Sequence, residues 1–140
     1  MDLKLSNKTA LVLGASKGLG AATALALAKE GANVIAAARS TNLINEWSEE
    51  FSISSCYVDL NSEQSTTELI KKISGSKIDI LINNCGGPSA GMALEQTCEN
   101  WENAFSAMAL PIFKITSALL PKMIQGNWGR IITIGSSGVE

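Results

Sequence analysis

Short runs of β-branched and aliphatic residues alternate along the chain with longer stretches of helical composition. Thr9 to Leu13 reads as a strand that Gly14 ends. Leu19 to Lys29 (LGAATALALAK) has the alanine- and leucine-rich composition of a strong helix, with Gly31 where a C-terminal cap belongs. Asn33 to Ala38 predicts a second strand, and Leu43 to Phe51 a short helix capped by Ser40 or Thr41. Ser55 to Val58, Ile78 to Ile82 and Arg130 to Ile134 predict three further strands. Ser62 to Ile73 reads as a helix opened by a serine, with Leu69, Ile70 and Ile73 on one face.

The longest periodic signal lies between Ile82 and Arg130. Trp101, Phe105, Met108, Ile112, Ile115 and Leu119 step by four and three, tracing one apolar stripe along a helix. Pro111 lies within it, removes a backbone donor and predicts a kink. Ala104 to Ile124 is strongly apolar, but Pro111, Lys114 and Pro121 interrupt it, so it reads as a buried helix rather than a membrane span. Strands alternating with helices, the strands nearly continuously apolar, specify a parallel sheet covered on both faces and joined by right-handed crossovers. The expectation is one α/β, doubly wound domain over residues 1–140, without repeats, linkers or low-complexity segments.

Composition narrows the chemistry. Charged residues are 17% of the chain, against roughly 25% in an average globular protein, which fits strands buried on both faces. Eleven basic residues against thirteen acidic ones give a net charge of −2 and no broad basic field for nucleic acid or an anionic membrane. Histidine is absent, which excludes Ser-His-Asp triads, Cys-His dyads and histidine-ligated zinc. Cys56, Cys85 and Cys98 form no C-x-x-C pair, so neither a metal site nor a disulfide framework is expected. A reducing cytoplasm is the expected location, and Met1 to Lys8 lacks the apolar run of a signal peptide.

In such sheets ligands bind beyond the carboxyl ends of the strands, where strand order reverses. After the first strand comes Gly14-Ala15-Ser16-Lys17-Gly18-Leu19-Gly20, opening directly into the alanine-rich helix. Glycines permit a tight turn close to a phosphate, and the helix N-terminus supplies amides and the positive end of its dipole. NAD-preferring folds hold the ribose 2′-hydroxyl with an acid at the end of the second strand. Here that position is Ala38, followed by Arg39, whose guanidinium can grip a 2′-phosphate bidentately. Either Arg39 or Lys17 alone also reads as a solvated surface cation; the two together point to NADP.

The G-x-x-x-G-x-G spacing, with Asn83-Asn84-Cys85-Gly86 closing the fourth strand, resembles the short-chain dehydrogenase/reductase superfamily. Leu13 stands where the family has threonine before its first glycine, and Cys85 where it has alanine. Gly129 to Ser136 resembles the family's fifth strand and active-site serine, nearest to β-ketoacyl-acyl-carrier-protein reductases, and the likeness runs through essentially the whole chain. The resemblance implies a Rossmann-type fold, NADP as cofactor and hydride transfer between a carbonyl and a hydroxyl. It also implies a small carbonyl, alcohol or acyl thioester substrate and, for the full-length protein, a homodimer or homotetramer paired through the Trp101 to Leu119 helix and the next. It places Asp59 against the adenine with Leu60 beside it, although Asp59 reads equally as a turn aspartate before Asn61-Ser62. Asn84, Cys85 and Gly86 would pass close to the cofactor, with Cys85 itself a small buried filler.

The catalytic group departs from the family's Asn-Ser-Tyr-Lys tetrad. Ser136 matches the serine, with Ser137 as its alternative, but Met108 occupies the asparagine position. The single tyrosine, Tyr57, lies on the third strand with Asn61 four residues on, so it is not the catalytic one. The family's Tyr-x-x-x-Lys falls beyond Glu140. The chain is the N-terminal portion of a longer fold, or Gly86-Gly87-Pro88 and Met108 mark a divergent branch without the full tetrad, or both hold. The expected function is an NADP-dependent oxidoreductase; the alternative is an NADP-binding module without turnover. A flavodoxin-like mononucleotide fold is disfavoured by the glycine spacing and Arg39. The 140 residues alone are expected to be catalytically silent, since histidine is absent, Tyr57 is misplaced and Met108 cannot donate a proton.

Overall fold

Successive residues of a strand face opposite sides of a sheet, and the first strand uses both sides for burial. In the computed structural model, which describes residues 3–136, β1 is Thr9–Leu13. It is followed by α1 (Gly18–Lys29), β2 (Asn33–Ala38), α2 (Thr41–Ser48), β3 (Ile53–Tyr57), α3 (Glu63–Ile73) and β4 (Ile80–Asn83). A 3₁₀ turn, Ala93–Glu95, leads into α4 (Cys98–Met108), α5 (Leu110–Gln125) and β5 (Arg130–Thr133). The strand order is β3-β2-β1-β4-β5 and every pairing is parallel, so the order reverses between β1 and β4. The doubly wound α/β reading holds.

Leu11 and Leu13 enter one core with Leu69 and Ile73 of α3 and Ile115, Leu119 and Met123 of α5. Ala10 and Val12 enter the other with Ala24 of α1, Ile44 of α2, and Ala36 and Ala38 of β2. Alanine dominates this second layer, so α1 packs close to the sheet. Gly31, just past the C-cap of α1, has φ +90°, a left-handed conformation that glycine adopts without a Cβ clash. Ser62 caps α3 by accepting from Ser65 N–H at 3.2 Å, and Thr97 caps α4 by accepting from Asn100 N–H at 3.2 Å.

Two lysines of α5 hold the ends of α3. Lys114 pairs with Glu63 in its first turn, and Lys122 Nζ donates to the carbonyls of Ser74 and Ser76 just past its last turn. At the base of the sheet, buried Asp79 accepts the Thr9 amide at 3.0 Å through Oδ2. Its Oδ1 lies 3.2 Å from Lys77 Nζ, an ion pair without hydrogen-bond geometry.

Three sequence expectations need correction. The helical region between β4 and β5 is two helices interrupted at Ala109, not one kinked rod. Pro111 sits in the first turn of α5, where its missing N–H has no intrahelical partner to lose. The apolar stripe is also only half buried. Ile115 and Leu119 are in the core, whereas Trp101 is 59% exposed and Phe105 53%, because no described element covers α4 from outside. Finally, β3 starts at Ile53 rather than Ser55; Ser54 and Ser55 are weak strand formers, and their pairing with Ile35 and Ala36 of β2 overrides that.

Candidate functional site

The carboxyl ends of four strands surround one cleft of about 620 Å³, within the usual range for a small-molecule site. The turn after β1 contributes Gly14, Ser16, Lys17 and Gly18; the end of β2 contributes Ala38, Arg39 and Ser40. Val58, Asp59, Leu60 and Asn61 follow β3, and Asn84, Cys85, Gly86 and Gly87 follow β4. Leu43 of α2 and Ala107 and Met108 at the end of α4 complete the wall.

The turn after β1 folds as its glycines dictate. Gly14 and Gly18 have φ of +61° and +58°. A Cβ on Gly14 would lie 2.6 Å from the Asn84 carbonyl oxygen, and one on Gly20 only 2.2 Å from the Gly14 carbonyl oxygen. Asn84 clasps the turn from the end of β4, its Nδ2 donating to the Leu13 carbonyl at 3.3 Å and the Gly14 carbonyl at 3.2 Å. Its neighbour Asn83 is buried and bonds Thr133 Oγ1 of β5 at 3.3 Å. The asparagine pair thus ties β4 to both of its neighbours.

Ten of the thirteen residues expected from the sequence to meet the cofactor line this cleft: Gly14, Ser16, Lys17, Gly18, Arg39, Asp59, Leu60, Asn84, Cys85 and Gly86. Three others from the glycine turn do not face it. Ala15 is fully buried and donates its amide to the Ala37 carbonyl at 3.2 Å. Gly20 is buried beneath Gly14, and Leu19 points to the outer face of α1, 67% exposed. A helix opening just after the turn sends consecutive side chains around its axis, so these three support the turn from behind and beside.

Asp59 is engaged locally. Its Oδ1 accepts the Asn61 amide at 3.0 Å, while its own amide donates to Ser65 Oγ at 2.9 Å. The turn role expected of Asp59 is therefore present, on a residue that also lines the cleft. Cys85 is half-buried on the cleft wall rather than the buried filler expected from the sequence, and the burial it has pushes its thiol above its ordinary value. Ser136 lies three residues past β5, exposed, and is not part of the cleft wall; Ser137 falls outside the described residues. Tyr57 is 57% exposed on the edge strand β3 and does not line the cleft, as its position in the sequence implied. Sequence reasoning missed Ser40, Leu43, Val58, Gly87 and Ala107 as wall residues. For Ser40 and Leu43 a signal existed, since both follow Arg39 directly into α2.

A glycine-rich turn at the switch point of a parallel sheet is the architecture of a Rossmann-type dinucleotide-binding fold. The chain belongs to the short chain dehydrogenase family, whose model matches residues 8–139. It is 34% identical to the 3-oxoacyl-[acyl-carrier-protein] reductase of Buchnera aphidicola over 96% of this chain and 57% of that protein. The NADP-bound crystal structure of a 3-oxoacyl (acyl-carrier-protein) reductase from Agrobacterium tumefaciens superposes with a TM-score of 0.80 at 27% identity. That match covers 95% of this chain and 54% of the other. A metagenomic short-chain oxidoreductase in complex with NADP gives a TM-score of 0.83 at 28% identity, covering 94% of this chain and 63% of that one. The chain thus spans somewhat over half the length of the relatives it matches.

Proposed function

We propose that this cleft binds NADP(H), and that the protein is a reductase interconverting a carbonyl and a hydroxyl on a small substrate of the 3-oxoacyl thioester class. The observation that carries the reading is the presence of both Lys17 and Arg39 on the wall of the one cleft that the glycine turn opens into. Neutral Ala38 stands where an NAD-preferring fold has an acid. The cleft suits the cofactor physically, because close approach to the turn depends on glycines where no Cβ fits and nothing lies within 4 Å of a Cβ at Gly18, Gly86 or Gly87. When bound, the nicotinamide supplies the hydride chemistry.

Each residue then has a task. The amides at the start of α1 meet the phosphates, and Arg39 and Lys17 meet the 2′-phosphate. Asp59 and Leu60 flank the adenine, while Asn84, Cys85 and Gly86 border the nicotinamide end. Ser136 hydrogen-bonds the substrate's carbonyl oxygen. Copies pair through the uncovered apolar side of α4 and α5, giving a homodimer or homotetramer. Free thiols at Cys56, Cys85 and Cys98 agree with a reducing cytoplasm.

Calorimetric titration with NADPH and NADH tests the cofactor reading. NADPH should bind more tightly, and Arg39→Asp should cost NADPH binding about 10-fold or more, the scale of a lost charged hydrogen bond. Equal affinities, or an unchanged preference in Arg39→Asp, would refute it. One observation favours a second reading, a binding module without turnover. Met108 lines the cleft where the family has an asparagine, and no histidine or tyrosine is among the wall residues. Oxidation of NADPH by a panel of 3-oxoacyl thioesters and ketones, abolished in Ser136→Ala, favours the enzyme; silence of a chain extended to the length of its relatives favours the module, because the 140 residues alone are expected to be silent under either reading.

A further inference from the structure

Two side chains hold the glycine-rich turn from outside. Asn84 does so from β4, as described above. The other is Trp47 of α2, whose indole Nε1 donates to the Ser16 carbonyl oxygen at 3.3 Å across 31 residues of chain. No described peptide bond is cis, so the Ser16 carbonyl and the Lys17 amide lie in one plane and point in opposite directions. Holding the carbonyl toward α2 turns the Lys17 N–H away from α2 and fixes where the Lys17 side chain begins. Lys17 needs an external anchor of this kind. It is the N-cap of α1, in extended conformation at φ −160°, and makes no side-chain capping bond that would hold it in place.

The same helix is tied to the other cation. α2 begins two residues after Arg39, and Leu43, one turn before Trp47 on the same face, lines the cleft. The indole is half-buried against the alanine-rich core, which restricts its motion. One short, packed helix therefore connects the backbone that carries Arg39 with the peptide that carries Lys17.

We propose that Trp47 is a positioning residue that sets the spacing of Lys17 and Arg39, and thereby the discrimination between a 2′-phosphate and a 2′-hydroxyl. The inference rests on the NADP reading above and adds a residue outside the cleft to it. A purely structural tryptophan would affect both kinds of ligand alike; a positioning one affects the phosphorylated ligand selectively.

The test is calorimetric titration of the whole protein with 2′,5′-ADP and with 5′-AMP. It compares wild type, Trp47→Phe and a benzothienylalanine replacement at position 47, which keeps the shape of the ring and lacks the N–H. Both replacements should weaken 2′,5′-ADP binding by about 3- to 10-fold, the range of one neutral hydrogen bond, and change 5′-AMP binding by less than about twofold. If Trp47→Phe fails to fold, the benzothienyl protein carries the comparison. Equal losses for both ligands, or no loss of either, overturn the inference while leaving the NADP reading intact. A wild-type protein that does not prefer 2′,5′-ADP to 5′-AMP overturns both.

Discussion

Around β1 the chain is closed on itself, and around β5 it is open, although both strands are short and parallel. Leu11, Val12 and Leu13 are completely inaccessible to solvent, flanked by β2 and β4 and covered by helices on both faces. All four residues of β5 are exposed, with Ile131 at 40% and Ile132 at 49%. The helices repeat the contrast. α1 buries small residues against the sheet, while α4 has no buried residue and leaves Trp101 and Phe105 outside. Residue type alone does not decide burial here. The number of neighbouring elements does.

The sharpest way to break the closed side is Gly20→Ala. Its Cβ would sit 2.2 Å from the Gly14 carbonyl oxygen and 2.8 Å from Asn84 Nδ2, so backbone must move. A loss of about 4 kcal/mol or more, or failure to fold, is expected by thermal and urea denaturation. Gly18→Ala has open space and only a left-handed φ to oppose it, so it should cost about 1–2 kcal/mol. Equal costs at the two glycines would mean the turn is looser than its contacts indicate.

The next test compares two residues of the same apolar stripe. Ile115→Ala should destabilise by about 3 kcal/mol, since the side chain is fully buried between the sheet and α3. Phe105→Ala should stay within about 0.5–1 kcal/mol for the monomer, because the ring is exposed and its described ring contact is an edge-on one with Phe113 at 6.3 Å. The same variant should lower self-association in sedimentation. A large monomer effect would show that α4 is already covered.

The smallest effect is electrostatic. The hydrogen bond from Lys114, and then its charge, hold the Glu63 carboxyl below the usual carboxylate range. A lowered folded-state value stabilises above the ordinary carboxylate range, and that contribution disappears as pH falls through the lowered value. Both partners are exposed, so Glu63→Gln should leave the neutral-pH midpoint nearly unchanged and slightly flatten the acid limb of a stability–pH profile. A steeper acid limb would reverse the assigned sign.

The fold was legible because strands buried on both faces read as short apolar runs, and because Gly14, Gly18 and Gly31 mark turns that require positive φ. The cleft was legible for a related reason, since strand ends can be read directly and four of them converge. Two things were hidden. The stripe from Trp101 to Leu119 has helical period throughout, and period does not reveal which half will find a neighbour. Trp47 lies in no motif, and its bond to Ser16 depends on how α2 docks rather than on any spacing in the chain.

The clasp by Asn84 has a kinetic consequence. It joins the end of β4 to Leu13 and Gly14, some 70 residues earlier, and the adjoining β1–β4 pairing closes a loop of similar size. Such long-range closures pay their chain entropy before their contacts form, and so come late in folding. The β1-α1-β2 unit can assemble from local contacts and already contains the glycine sequence, yet the turn lacks its clasp until β4 docks. Binding of the nucleotide proposed above should therefore lag behind helix formation during refolding and rise with the β1–β4 closure, making the ligand a reporter of completed topology rather than of early collapse.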